Sequence, residues 1–120
     1  MKKKKLTEVS ARRLKIRMRI RKRIHGTADR PRLSVYKSNT ATYVQLIDDW
    51  TGHTIAASST KKIANQTGTP VEKAVALGKE IGEKAIAKGI QTIVFDRSGY
   101  IYHGRVKAIA EGARATNLKF

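Results

Sequence analysis

The positive charge of this chain is crowded into one end, and that crowding limits what can fold. Residues 1–32 hold 14 of the 26 Lys and Arg with only two acids, Glu8 and Asp29, a net of +12. Residues 33–120 hold the other 12 with 7 acids, a net of +5. A segment that repels itself so strongly does not enter a core unless an anion neutralises it. The chain therefore divides into a basic arm, residues 1–25, and a globular domain, residues 26–120. At 120 residues it supports one hydrophobic core and not two. Its 40% apolar content builds that core provided the arm stays outside.

Two periods compete in the arm. Leu14, Ile16, Met18 and Ile20 alternate with cations as in a strand, while Val9, Ile16, Ile20 and Ile24 fit a helical stripe nearly as well. Lys and Arg favour helix, but like charges four residues apart oppose it in isolation. The arm is expected to be frayed when free and helical when phosphates screen it. Its cations are Lys2, Lys3, Lys4, Lys5, Arg12, Arg13, Lys15, Arg17, Arg19, Arg21, Lys22 and Arg23. The planar fork of Arg matches phosphate oxygens, which points to nucleic acid. A basic helix lying on a membrane is the rival reading, but the arm has no Trp, Tyr or Phe to anchor it there.

Gly26 to Pro31 reads as a linker. Leu33–Tyr36, Thr42–Ile47 and His53–Ser58 read as an antiparallel meander, with Tyr43, Gln45 and Ile47 on one face of the middle strand and Thr42, Val44 and Leu46 on the other. Asp48 to Gly52 is a turn, and Thr60 to Gly68 a polar loop. Thr69-Pro70-Val71-Glu72 is a capping box with Pro at the first helical position. The helix it opens carries a stripe of Val71, Val75, Ile81 and Ile86 and ends at Gly89. Gly78 and Gly82 weaken it by roughly 1 kcal/mol each, which implies close backbone packing, expected against a sheet. Ile90–Phe95 reads as a buried strand, Asp96–Gly99 as a turn, and Tyr100–His103 as short and extended. A second helix from Gly104 to about Ala115 turns Val106, Ile109, Ala110 and Ala113 inward. The order βββαβα, after an arm that is helical on RNA, gives an α/β single domain with a mixed sheet.

Catalytic patterns are weak. The chain has no Cys, no phosphate-cradling Gly-rich loop ending in Lys-Ser/Thr and no nucleophile elbow. His25, His53 and His103 lack metal-ligand spacing. Asp48, Asp49, Glu72 and Asp96 could make a two-metal nuclease only if each gave up a plainer role in a turn or cap. No cofactor, metal or small-molecule substrate is expected. No run reaches the ~20 apolar residues of a spanning helix, and the basic start leads into no apolar stretch, so the chain is read as soluble and cytosolic. Two clusters of polar and aromatic residues lie near strand ends: Tyr36, Lys37, Ser38, Asn39 and Tyr43, then Arg97, Ser98, Tyr100, Tyr102, His103 and Arg105. Tyr rings stack on bases and the polar groups bond sugars and phosphates. Tyr36 and Tyr43 also fit a cross-strand packing pair.

The residues of these clusters carry a resemblance. Gly26-Thr27 with Arg30-Pro31-Arg32-Leu33-Ser34-Val35, the Lys37-Ser38-Asn39 turn, Tyr43 to Asp49, and Ala57 to Thr60 each match a family pattern. Most specific is Val94-Phe95-Asp96-Arg97-Ser98-Gly99-Tyr100-Ile101-Tyr102-His103-Gly104-Arg105-Val106. Together they resemble the bacterial type of large-subunit ribosomal protein eighteen. The resemblance implies a structural RNA-binding role without catalysis: binding 5S rRNA, reaching 23S rRNA in the central protuberance, with ribosomal protein five as a neighbour. It implies contacts at Arg30, Arg32, Lys37, Ser38, Asn39, Tyr43, Gln45, Arg97, Tyr100, Tyr102, His103 and Arg105, beside the cations of the arm. Ser98 stands where the family often has Gly, a mild change if φ there is negative. Asn117 also replaces a Gly, and Asn tolerates the left-handed conformation that a helix stop needs. Ala115 lacks the family's acid.

Overall fold

A computed structural model describes residues 8–61 and 68–120. Lys2, Lys3, Lys4 and Lys5, and positions 62–67 of the expected polar loop, lie outside the described residues. The chain runs α1 (Glu8–Arg21), β1 (Arg32–Lys37), β2 (Thr42–Asp48), β3 (His53–Ser59), α2 (Pro70–Ala87), β4 (Val94–Asp96) and α3 (Arg105–Arg114). The four strands form one sheet in the order β3-β2-β1-β4. β1, β2 and β3 are an antiparallel meander, and β4 joins β1 in parallel, so the sheet is mixed.

Alternation along the strands sorts the two faces. Leu33, Val35, Val44 and Leu46 point to one side and are buried against Leu77 and Ile81 of α2 and Val106 and Ile109 of α3. Arg32, Ser34, Tyr36, Tyr43, Gln45 and Asp96 belong to the other side, which α2 and α3 leave uncovered. That division is the one the sequence period predicts for β2.

α2 begins as its capping box predicts, with the Thr69 hydroxyl accepting from the Glu72 N–H at 3.2 Å. It ends at Ala87, two residues before Gly89, whose φ is +80°. The stripe it buries differs from the expected one. Val71 and Ile86 are exposed, while Ala74, Leu77, Gly78, Ile81, Gly82 and Ala85 face inward. The close approach of its glycines is to α3, not to a sheet. A Cβ on Gly78 would collide with the Ile109 carbonyl, and one on Gly112 of α3 with the Val75 carbonyl. Small residues lie at the crossing because the two backbones nearly touch there, so large apolar residues at the same helical phase are displaced outward.

Two further expectations change. The apolar run Ile90–Phe95 is not one long strand: Thr92 bridges to Lys119, and β4 proper is three residues. Tyr100–His103 is not extended, because the chain folds back at Arg97-Ser98-Gly99-Tyr100. Ser98 (φ 55°) and Gly99 (φ 82°) are both left-handed, and the Tyr100 N–H closes the turn on the Arg97 carbonyl at 3.0 Å. Positive φ at both central positions favours Gly at each. Ser98 is held there by donating its N–H to Asp96 Oδ1 at 2.8 Å. Asn117 adopts φ 73°.

Candidate nucleic-acid interface

The uncovered sheet face meets α1. A cleft of about 400 Å³ separates them, lined from the helix by Arg13, Leu14, Arg17, Met18 and Arg21. The helix therefore turns an arginine row, spaced four residues apart, toward the cleft, while Ile16 and Ile20 are half-buried. Contacts along its length seat it. At one end the Arg13 guanidinium lies 4.9 Å from the centroid of the Tyr100 ring. In the middle Gly99 lies against Arg13 and Arg17, so closely that a Cβ there would strike the Arg13 carbonyl. At the other end Arg21 pairs with Asp49 at 3.3 Å.

Asp49 is the hub of an ionic chain. It accepts from Arg32 at 2.9 Å and from the Gly26 N–H at 2.8 Å, besides Arg21. Arg32 reaches on to Asp96 at 2.8 Å. The hydrogen bond from Arg32 holds the Asp49 carboxyl far below the usual carboxylate range; burial opposes this, and the Gly26 N–H and the Arg21 charge add to it. Arg32 is 9% exposed, with both ends of its fork on carboxylates. It organises the sheet from within instead of offering its fork to phosphate.

Tyr100 is likewise turned in, at 8% exposure. Its hydroxyl accepts from the Lys37 N–H at 3.2 Å, and its ring lies 4.9 Å from the Lys37 ammonium as well as from Arg13. Arg105 reaches the same corner, donating to the Ser38 carbonyl and to Thr42 Oγ1, both at 3.2 Å. Burial and the positive charges of Arg105 and Arg13 push the Lys37 ammonium below its ordinary value. Both charges acting on Lys37 are cationic, so this corner favours an anion.

The remaining expected contacts fall into three groups. Tyr43 and Gln45, with Ser34, Tyr36 and Ser38, line an open groove of about 520 Å³ on the uncovered face. Tyr36 and Tyr43 pack as cross-strand partners with ring centroids 5.9 Å apart, yet Tyr36 remains 56% exposed. Arg12, Lys15, Arg17, Arg19, Lys22, Arg23, Arg30, Asn39 and His103 are exposed. Others do local structural work. Ser38 closes the hairpin turn with Ala41, and Arg97 donates to the Tyr100 carbonyl at 2.7 Å. Tyr102 packs edge-on against Phe95 and accepts from Arg114. Tyr36, which the sequence places in the first polar and aromatic cluster, shares this face with Ser34.

The nuclease candidates are spent on structure. Asp48 receives the Trp50 N–H and the Thr51 hydroxyl, while Asp49 and Asp96 share Arg32. Among the described residues no three His, Asp or Glu side chains gather as a metal would need, and no helix is long and apolar enough to cross a membrane.

Comparison with known proteins points to one family. A family profile described as ribosomal L18 of archaea, bacteria, mitochondria and chloroplast matches residues 5–120. The large ribosomal subunit protein uL18 of Streptococcus agalactiae serotypes Ia, V and III is in each case 55% identical to this chain over 104 residues. The match covers 85% of this chain and 86% of each relative.

Proposed function

The chain belongs to the ribosomal L18 family, and on that premise we propose that it binds 5S rRNA and helps attach it to 23S rRNA in the central protuberance. Its role in the large subunit is structural, without catalysis. The observation that carries the RNA reading is the corner where Arg13, Lys37 and Arg105 gather around Tyr100 beside an open polar and aromatic sheet face. A phosphate there relieves the repulsion among the cations, and the groove beyond it offers hydroxyls, an amide and the exposed Tyr36.

The binding has two layers. Lys15, Arg17, Arg19, Lys22 and Arg23 of the arm neutralise phosphates and provide affinity for any RNA. The folded face provides geometry, since an RNA duplex is read by shape, 2′-hydroxyls and unstacked bases and not through its deep major groove. Arg32, Tyr100 and Arg105 set that geometry from inside, while Tyr36, Gln45, Asn39 and His103 are the side chains that touch. Ribosomal protein five is the neighbour this reading implies.

A titration of 5S rRNA against a size-matched unrelated structured RNA, repeated across salt, tests the reading. With ~6–10 phosphates neutralised, affinity for both RNAs falls on the order of 10³- to 10⁵-fold between ~50 and ~200 mM salt. A preference for 5S rRNA persists at the higher salt. Equal affinities that collapse together would leave only a general polycation.

A further inference from the structure

The turn between β2 and β3 exposes the chain's single Trp. Trp50 is 82% exposed. A large aromatic ring stands out in water, and the turn is built to hold it there. The Trp50 backbone N–H donates to Asp48 Oδ1 at 3.0 Å, and the next hydroxyl, of Thr51, to Asp48 Oδ2 at 3.0 Å. Its other neighbour, Asp49, is locked to Gly26 twice: the Gly26 N–H donates to the Asp49 carboxylate at 2.8 Å, and the Asp49 N–H to the Gly26 carbonyl at 3.0 Å. Because residues 26 and 49 are clamped together, residues 25 and 50 come side by side. The His25 ring stands perpendicular to Trp50, at 87° with centroids 6.2 Å apart. An edge-on partner steadies an indole while leaving a face open.

We propose that Trp50, steadied by His25, is a stacking platform for an unpaired base of the RNA this chain binds. The proposal rests on the RNA reading above and adds a specific contact to it. Two features favour a base over a protein partner. The residues that follow it in the chain, Thr51, Gly52, His53 and Thr54, are exposed and non-aliphatic, and offer a protein partner no apolar surround to seal. A base needs only one face of the ring and a cation for its phosphate. Lys22 and Arg23 are exposed just beyond α1, whose last turn is tied to this same turn through Arg21 and Asp49. Of the carboxylates nearby, Asp49 is paired with Arg32 and Arg21, and the buried Asp48 turns its oxygens to the Trp50 backbone N–H and the Thr51 hydroxyl.

A single Trp makes the test direct. The full chain is titrated with end-labelled 5S rRNA, binding being followed by the label and the environment of Trp50 by its emission and its accessibility to acrylamide. Stacking quenches the emission and shields the ring along the same isotherm that the label reports. Trp50→Ala weakens binding on the order of tenfold, and Trp50→Phe restores most of it. If the label reports normal binding while emission and accessibility stay unchanged and Trp50→Ala binds like the parent, the platform is wrong and the RNA reading stands. If the label reports no binding by the parent, both fall together.

Discussion

Arg32 and Asp49 show how one side chain's role depends on what lies opposite it. In the sequence, Arg32 is one more cation at the edge of a basic arm. In the fold it is buried between Asp49 and Asp96, and its charge is spent on joining the β2–β3 turn to β4. Asp49 holds its proton far less readily than an ordinary carboxyl, first because Arg32 donates to it. Depression of that kind stabilises the fold fully above the ordinary carboxylate value of ~3.9. The stabilisation is lost as pH falls below it, where the unfolded chain takes up the proton and the folded one still resists. Asp49→Asn is expected to lower stability on the order of 3 kcal/mol at pH 7, as breaking a buried pair does. Urea unfolding at pH 7 and pH 2.5 checks this: the gap between parent and variant narrows in acid. A gap of the same size at both would show that the charge is not what holds the turn.

At the level of elements, the α2–α3 crossing explains two glycines that local propensity alone disfavours. Gly78→Ala adds helix propensity worth ~1 kcal/mol. It also forces a methyl onto the Ile109 carbonyl, a backbone neighbour that cannot swing aside, and overpacking of that sort costs ~1–3 kcal/mol. The second effect wins, so the variant melts several degrees lower, roughly 4–8 °C for each kcal/mol lost in a domain of this size. A variant that melts higher would mean the helices separate easily. The start of α2 was legible because Thr69, Pro70 and Glu72 act within one turn. Its inward face was not, since Val71 and Ile86 follow the helical period as well as Ala74 and Ala85 do, and only the approach of α3 chooses between them. The turn after Asp96 was legible, but the positive φ of Ser98 was not, for a related reason: a left-handed Ser is unfavourable by itself, and Asp96 offsets the strain from outside the two central residues.

For the molecule as a whole, the arm and the domain are expected to be energetically separable. Among the described residues, no buried core side chain comes from α1; the helix is seated by Arg13, Gly99 and the Arg21–Asp49 pair. Deleting residues 1–23 is therefore expected to leave a domain that still unfolds cooperatively in urea, while affinity falls for 5S rRNA and unrelated RNA by similar factors. Loss of cooperative unfolding would show that the arm is part of the fold. A loss confined to 5S rRNA would show that the arm reads sequence or shape.

The sequence by itself determined the order of the elements, the two faces of β2, the cap of α2 and the segregation of charge. Each of these is written in residues a few positions apart, where period, capping and repulsion act directly. The tertiary structure decided which cations meet carboxylates, which face of α1 turns inward, and that Trp50 stands beside His25. Those outcomes join residues 25 to 50 and 32 to 96. No local pattern specifies such distant partners; they follow only when the meander and the β1–β4 pairing bring the ends of the strands together.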